Sequence, residues 1–473
     1  MIKLFAIAIV LAAVSSRLIL PSDLVKNLQR SHENLNPSLK TRSAPEDNNS
    51  YAKPVQGIAN ATSGYLSVND PKTKSKLFFI FYSCRNMTSG QKASDIPIVI
   101  WLQGGPGGSS QIGNFMEMGP WQLTYNPKTG KYQETPRQLS WNDYYHLLVI
   151  DNPRGTGYSI ADQNSYVQTE DQVAEDFLQA LINFYSLPDF AGFKNTPLYI
   201  FGESYAGHYI PSISKRIIQY NSQKPSLSIP LKGMGIGDGW TDPINQLPLN
   251  GLFAYSLGLL DDVERAKVEA FQTTGIYNIK NKNWKLALTA FDNIMNTIVQ
   301  SGGNVNVYNF RDFGDYDFSF IEKFMNDADT VQRYNVDPSV AGHFKEENTA
   351  VYTALTNDFM QSVADRVAFV LQSNLSTLIY NGQDDIICNS PNQQNWVGNL
   401  SWSRQTEFYN TPFQVWLYAN QTMAGLAKQT GPLTFTIVNK AGHLAPMDQI
   451  NTTTEMLRRF IGGSTNWTNP LTY

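Results

Sequence analysis

One segment of the chain has the residue types and spacing of a nucleophilic serine held in a sharp turn: Leu198-Tyr-Ile-Phe-Gly-Glu-Ser-Tyr-Ala-Gly207. An apolar strand runs into Gly202-Glu203-Ser204-Tyr205-Ala206, and a helix-compatible segment follows. Small residues two before and two after Ser204 let the chain turn tightly, so the hydroxyl projects from the strand end. Ala206 stands where Gly is commoner and is small enough. A serine presented this way is suited to attack a carbonyl, provided that a base takes its proton.

Five histidines are available. His32 lies in a polar N-terminal stretch and His146 begins an apolar strand. His208 is on the serine's own helix, badly placed to reach back, and His343 lies in a long helical stretch. His443, in Lys440-Ala-Gly-His-Leu-Ala-Pro446, follows an apolar run ending at Val438 and alone fits the chain order serine, acid, histidine. The acid should follow a strand between the two, where Thr377-Leu-Ile-Tyr-Asn-Gly-Gln-Asp-Asp385 offers Asp384 and Asp385. A tetrahedral oxyanion also needs donors. Trp101-Leu-Gln-Gly-Gly-Pro-Gly-Gly-Ser-Ser110 lets backbone N–H groups approach closely, and the N–H of Tyr205 is the expected second donor. No Lys-Ser/Thr follows this loop, as a phosphate-binding loop would require.

The elements that must position these groups alternate between short apolar runs and helical patterns, the mark of an α/β sheet. Strands are expected at Leu77–Tyr82, Ile96–Leu102, His146–Asp151, Leu198–Phe201, Gly233–Gly237, Thr377–Tyr380 and Thr434–Val438. Several are continuous apolar runs, as in central strands covered on both faces. A helix should begin near Glu170. From about Pro243 the alternation breaks into helical segments such as Trp284–Val299, read as an insertion or cap spanning 243–350. The core is then 52–242 and 351–473.

The N-terminus reads as an export signal over 1–16: Lys3, an apolar run from Leu4 to Val14 too short to span a bilayer, then small residues. A loose leader or propeptide, 17–51, follows. Acceptor motifs for N-glycosylation occur at Asn48, Asn60, Asn86, Asn374, Asn399, Asn420, Asn451 and Asn466. Together they place the protein in the secretory pathway with no membrane span. Only Cys84 and Cys388 exist, so at most one intrachain disulfide is possible. A net charge of −4 argues against nucleic acid as partner. No metal or cofactor is expected.

Taken together, the motifs resemble the serine carboxypeptidase family over roughly residues 50 to 470. The resemblance rests on Trp101–Ser110, Glu117-Met-Gly-Pro120, Asp151–Ser159, Gly202–Pro211, Gly237–Asp242, Gly382–Cys388 and Gly442–Asp448. It implies an α/β-hydrolase fold, with a mostly parallel central sheet, helices on both faces and a largely helical cap. It also implies a lysosomal, vacuolar or secreted exopeptidase acting on peptides or proteins with a free C-terminus through an acyl-enzyme. Carried over by position, the triad is Ser204, Asp385 and His443, with Gly105 and Tyr205 as oxyanion donors. Gln103, Gly104, Glu117 and Glu203 fall where the family binds the substrate's terminal carboxylate. Two glutamates sharing a proton would accept that carboxylate below roughly pH 6. This sequence departs from the family at three positions: Gln103 for the usual Asn, Gly108 for a Cys, and Arg154 at a normally small apolar position. Acyl transfer or generic esterase action on the same scaffold is the second reading, and a non-catalytic binding or protective relative the third. Oligomeric state is left open, a homodimer among the options.

Overall fold

The computed structural model of the chain describes residues 50–68, 74–162, 165–418 and 420–469. The signal segment 1–16, with most of the leader, His32 and Asn48, lies outside the described residues, whereas Tyr51 already opens a strand.

A continuous apolar strand is stable only where both of its faces are covered, and the strands here meet that demand by alternation. Ile98, Ile100 and Leu102 of one strand enter one core cluster, while Val99 and Trp101 enter the other. Leu148 and Ile150 against Leu147 and Val149 repeat the pattern in the neighbouring strand. The strands are β1 (Tyr51–Pro54), β2 (Ala61–Ser67), β3 (Lys76–Tyr82), β4 (Ile98–Leu102), β5 (Trp121–Asn126), β6 (Lys131–Pro136) and β7 (His146–Ile150). They continue with β8 (Leu198–Glu203), β9 (Leu231–Gly237), β10 (Ser376–Gly382), β11 (Gln414–Leu417), β12 (Met423–Thr430) and β13 (Leu433–Val438).

Eleven of them form one sheet in the order β1-β2-β3-β7-β4-β8-β9-β10-β13-β12-β11. The six from β7 to β13 run parallel, and antiparallel strands extend the sheet at both edges. Parallel order puts the C-terminal ends of β4, β8, β9, β10 and β13 on one side, which is where ligands bind in such sheets. This is the α/β-hydrolase arrangement. All seven expected strands are present, displaced by two residues or fewer at most ends. The edge strands β1, β2, β11 and β12 and the β5–β6 hairpin had no counterpart in the sequence reading. Their residues, such as Gly425, Lys428 and Gln429 in β12, make no continuous apolar run.

The helix Glu170–Ser186 starts at Thr169, whose side chain accepts from Gln172 N, with Glu170 and Asp171 in its first turn. It packs with the helix Ala206–Ser222 on one face of the sheet. On the other face Met456, Leu457 and Phe460 of the helix Ile450–Ile461 join the second core cluster. Between β9 and β10 lies a long helical connection that includes an antiparallel pair, Asp262–Lys280 and Trp284–Ser301.

Candidate active site

Ser204 follows the last residue of β8 and adopts φ 60°, a left-handed conformation that costs a serine on the order of 1–3 kcal/mol. Neighbouring backbone over-determines it. Ser204 N–H donates to Gly237 O at 3.0 Å, and Ser204 O accepts from Trp240 N–H at 2.8 Å and Gly207 N–H at 2.9 Å. The turn leads into the helix Ala206–Ser222, whose N-terminal dipole favours negative charge beside the serine. The glycine loop after β4 lies directly against it. A Cβ on Gly104 would stand 2.5 Å from Tyr205 N, and Gly105, at φ +108°, would carry one 2.6 Å from Gly108 N. Only glycine fits either position, and the loop backbone therefore reaches the nucleophile turn.

His443 lies in the loop after β13. Its Nδ1 is 2.9 Å from Asp385 Oδ2, beyond β10, and its Nε2 is buried without a partner. The backbone carbonyl of Tyr308 accepts from the backbone N–H of His443 at 2.6 Å, and the two ring centroids are 5.0 Å apart. Asp384 is engaged elsewhere, 2.6 Å from Arg311 Nε. The other described histidines have separate surroundings. His208 is buried, its ring nitrogens 2.6 Å from Trp240 O and 2.8 Å from Gln361 O. His146 accepts from Cys84 N–H at 3.1 Å, and its Nε2 is 2.9 Å from Ala93 O. His343 is exposed.

Beside the serine sits a second, acidic cluster. Gln103 Nε2 donates to Glu203 Oε1 at 2.6 Å, and Gln103 Oε1 accepts from Trp101 Nε1 at 3.0 Å. Glu117, in a wide π-helical turn over Gly113–Met118, is fully buried, and neither of its carboxyl oxygens has a hydrogen-bond partner in the protein. Burial pushes Glu117 up to about 8. Burial, and then the Glu117 charge, hold Glu203 well above the ordinary carboxylate range. Two buried carboxyls whose charges act on one another resist ionising together, so the pair tends to retain a proton.

Asp238, at the end of β9, is a further buried acid with no role in the sequence reading. Its Oδ1 accepts from Gly382 N–H at 2.7 Å, its Oδ2 has no hydrogen-bond partner, and the Asp385 charge acts on it. Burial and the Asp385 charge keep it protonated well above the usual range. The signal was present: an acid directly following an apolar strand, at the C-terminal edge where sites form.

Gln103, Gly104, Gly105, Glu203, Ser204, Tyr205 and His443 all line one cavity of about 470 Å³. Glu117 and Asp385 stand behind that lining. A serine in a strained turn, an imidazole oriented by a carboxylate, a close-packed glycine loop and a buried acid cluster thus meet in one place. A sequence profile described as serine carboxypeptidase matches residues 54–463. This chain belongs to the serine carboxypeptidase family. It is 35% identical over 418 residues to the venom serine carboxypeptidase of Apis mellifera, covering 86% of this chain and 85% of that protein. It is 33% identical over 428 residues to the probable serine carboxypeptidase CPVL of Homo sapiens, covering 88% and 86%. In fold it is similar to Kex1Δp, a prohormone-processing carboxypeptidase from Saccharomyces cerevisiae. That match has a TM-score of 0.74 and 24% identity over 85% of this chain and 91% of the other.

The protein is accordingly a serine-type carboxypeptidase acting on peptides, and neither the acyltransferase nor the non-catalytic reading is favoured. Its three departures from the family pattern have structural settings. Gln103 spans from Trp101 to Glu203, so the longer arm still delivers its amide. Gly108 pairs as a bridge with Glu347. Arg154, unexplained from sequence, is buried and paired with Asp176, Nε to Oδ2 at 2.7 Å. Cys84 and Cys388 are both free and buried. Among the described residues no helix is long and apolar enough to cross a membrane.

Proposed function

We propose that this carboxypeptidase removes single C-terminal residues, with Ser204 as nucleophile, His443 as general base and Asp385 orienting the imidazole. In the forward step Ser204 Oγ attacks the last peptide carbonyl while His443 Nε2 takes its proton. The N–H groups of Gly105 and Tyr205 stabilise the oxyanion, and His443 returns the proton to the departing amino acid. Water, deprotonated by the same histidine, then releases the shortened peptide from the serine. The observation that carries the exopeptidase reading is the buried Gln103–Glu203–Glu117 cluster beside the serine. A shared proton and an amide donor suit a free carboxylate, and they give an internal peptide segment nothing to bind.

The helical stretch 243–350 acts in this reading as a cap over the cavity, the core being 52–242 and 351–473. Signal 1–16 and leader 17–51 direct the chain to the lysosome, vacuole or exterior. Asn60, Asn86, Asn374, Asn399, Asn420, Asn451 and Asn466 are all exposed, as glycan acceptors must be. Digestion of a peptide panel by the purified protein, followed by mass spectrometry, tests the reading. Stepwise loss from free C-termini, and much slower attack on C-terminal amides at acid pH, is expected, whereas internal cleavage would overturn it.

A further inference from the structure

Gly105 N–H has no hydrogen-bond partner among the described residues, and two peptide planes link its direction to a residue far along the chain. Gly104 O accepts from Gly108 N–H at 3.0 Å, and Gly107 O accepts from Asn348 N–H at 3.0 Å. The Gly104–Gly105 and Gly107–Gly108 peptides are both trans. In a trans peptide the N–H points away from the C=O, so holding one end aims the other. Asn348 N–H, by fixing Gly107 O, turns Gly108 N–H toward Gly104 O. That second contact turns Gly105 N–H the opposite way, and Gly105 lines the cavity.

The loop needs a hold from outside. Four of the five residues from 104 to 108 are glycine, so it has almost no side chain by which to be anchored. The segment 346–348 grips its backbone instead. Ser109 N–H donates to Glu346 O at 2.7 Å, and Gly108 and Glu347 form an antiparallel bridge. Asn348 is where that segment is itself tied down. Its Oδ1 accepts from Ala350 N–H at 2.9 Å, capping the helix Thr349–Leu355, and its Nδ2 donates to Gly155 O at 2.7 Å in the loop after β7. Both ends of the amide are engaged, which fixes its orientation.

Val351, one turn into that helix and fully buried, closes on the same two loops. A Cβ on Gly107 would stand 3.1 Å from Val351 Cβ, and one on Gly155 would stand 3.2 Å from Val351 Cγ2. The helix start therefore joins the loops after β4 and β7 at one point. Asn348 itself does not line the cavity beside Ser204.

We propose that Asn348 is a positioning residue for the hydrolysis, aiming Gly105 N–H at the oxyanion through the Gly107–Gly108 and Gly104–Gly105 peptides. A donor fixed before the reaction stabilises the developing charge without reorganisation, and hydrogen bonds in a chain polarise one another. The inference rests on Ser204 as nucleophile and Gly105 as oxyanion donor. Asn348→Ala and Asn348→Asp are compared with the unaltered full-length enzyme, active sites being counted by labelling Ser204 to completion with a fluorophosphonate. Asn348→Asp keeps the helix cap but loses the donor to Gly155 O. Both should lower kcat per active site at least about tenfold, equally on a peptide and its matched ester, with KM within about twofold. Ser204 Oγ adds to a peptide aldehyde, its proton passing to His443, and the adduct carries the same oxyanion. The aldehyde's inhibition constant should therefore rise by a similar factor, whereas that of the matching peptide alcohol should not move. A fall in kcat with aldehyde binding unmoved would overturn the proposal. So would variants that melt earlier yet keep kcat per active site. An unaltered enzyme that takes up neither the fluorophosphonate nor the aldehyde would instead sink the Ser204 mechanism beneath it.

Discussion

Gln103 Nε2 donates to Glu203 Oε1 at 2.6 Å, one residue before the serine. The amide cannot be turned the other way. Trp101 Nε1 is a donor only, and it occupies Gln103 Oε1 at 3.0 Å. Orientation of the amide, and with it one hydrogen of the acid cluster, is set by a buried tryptophan.

Replacing that arm should affect recognition of the terminal carboxylate more than chemistry. Gln103→Ala should raise KM for a free-acid peptide about tenfold with a smaller change in kcat, and Gln103→Glu, a third buried acid, should be worse than Gln103→Ala. Steady-state kinetics on one free-acid peptide and its C-terminal ester check this. A loss of the same size on the ester would place Gln103 in the fold and not in recognition.

The raised carboxyls of Glu117 and Glu203 fix the direction of a pH effect. Their shared proton is present at low pH and is lost as pH rises through the pair's apparent pKa, with Glu117 pushed up to about 8. Above it an anionic site meets an anionic substrate. For free-acid peptides kcat/KM should therefore hold into the neutral range and fall as pH passes about 8. Ester or amide substrates lack the carboxylate and should not fall, because a histidine base works better as it loses its proton. Glu203→Gln should flatten the peptide profile, and parallel profiles for the matched pair would contradict the assignment.

Ser204→Ala and His443→Ala should lower kcat by at least about 10³-fold with the melting temperature little changed. Asp385→Asn should cost heavily. Asp384→Asn, which weakens only the pair with Arg311, should cost less. Asp238→Asn keeps an acceptor for Gly382 N–H, so kcat should stay within about threefold, whereas Asp238→Ala should lose more than about tenfold. The Asn and Ala variants at Asp238 behaving alike would show that its hydrogen bonds do not matter to the reaction.

Stability should also depend on pH. Glu117, Glu203, Asp238 and Glu170 are all raised in the folded state, chiefly by burial. For such groups the stabilising contribution is fully present below the unfolded pKa and is lost as pH rises through the folded one. Each adds a slope of about −1.4 kcal/mol per pH unit between the two values. The melting temperature should drop between about pH 5 and about 8, and Glu117→Gln should make the drop shallower. Thermal unfolding across that range decides it. A melting temperature that rises with pH would mean these acids are ionised in the fold.

Much of the chemistry was legible in one dimension because it is written in local turns. Gly202 to Ala206 can present a serine in only a few ways, and the loop carrying Gly104 and Gly105 tolerates no side chain. His443 was reached by order and elimination, and the strands it depends on are continuous apolar runs that only a covered sheet accommodates. Edge strands such as β12 were missed because their polar residues are half-solvated, which removes the periodic signal. The choice between Asp384 and Asp385 depends on where Arg311, seventy-odd residues upstream, places its guanidinium. Arg154 makes sense only beside Asp176, and Asp238 only against Asp385. Pairings of this kind arise from side chains that meet across different strands and helices. Their energies come from burial and from one another's charge, and neither quantity exists until the sheet has brought the strand ends together.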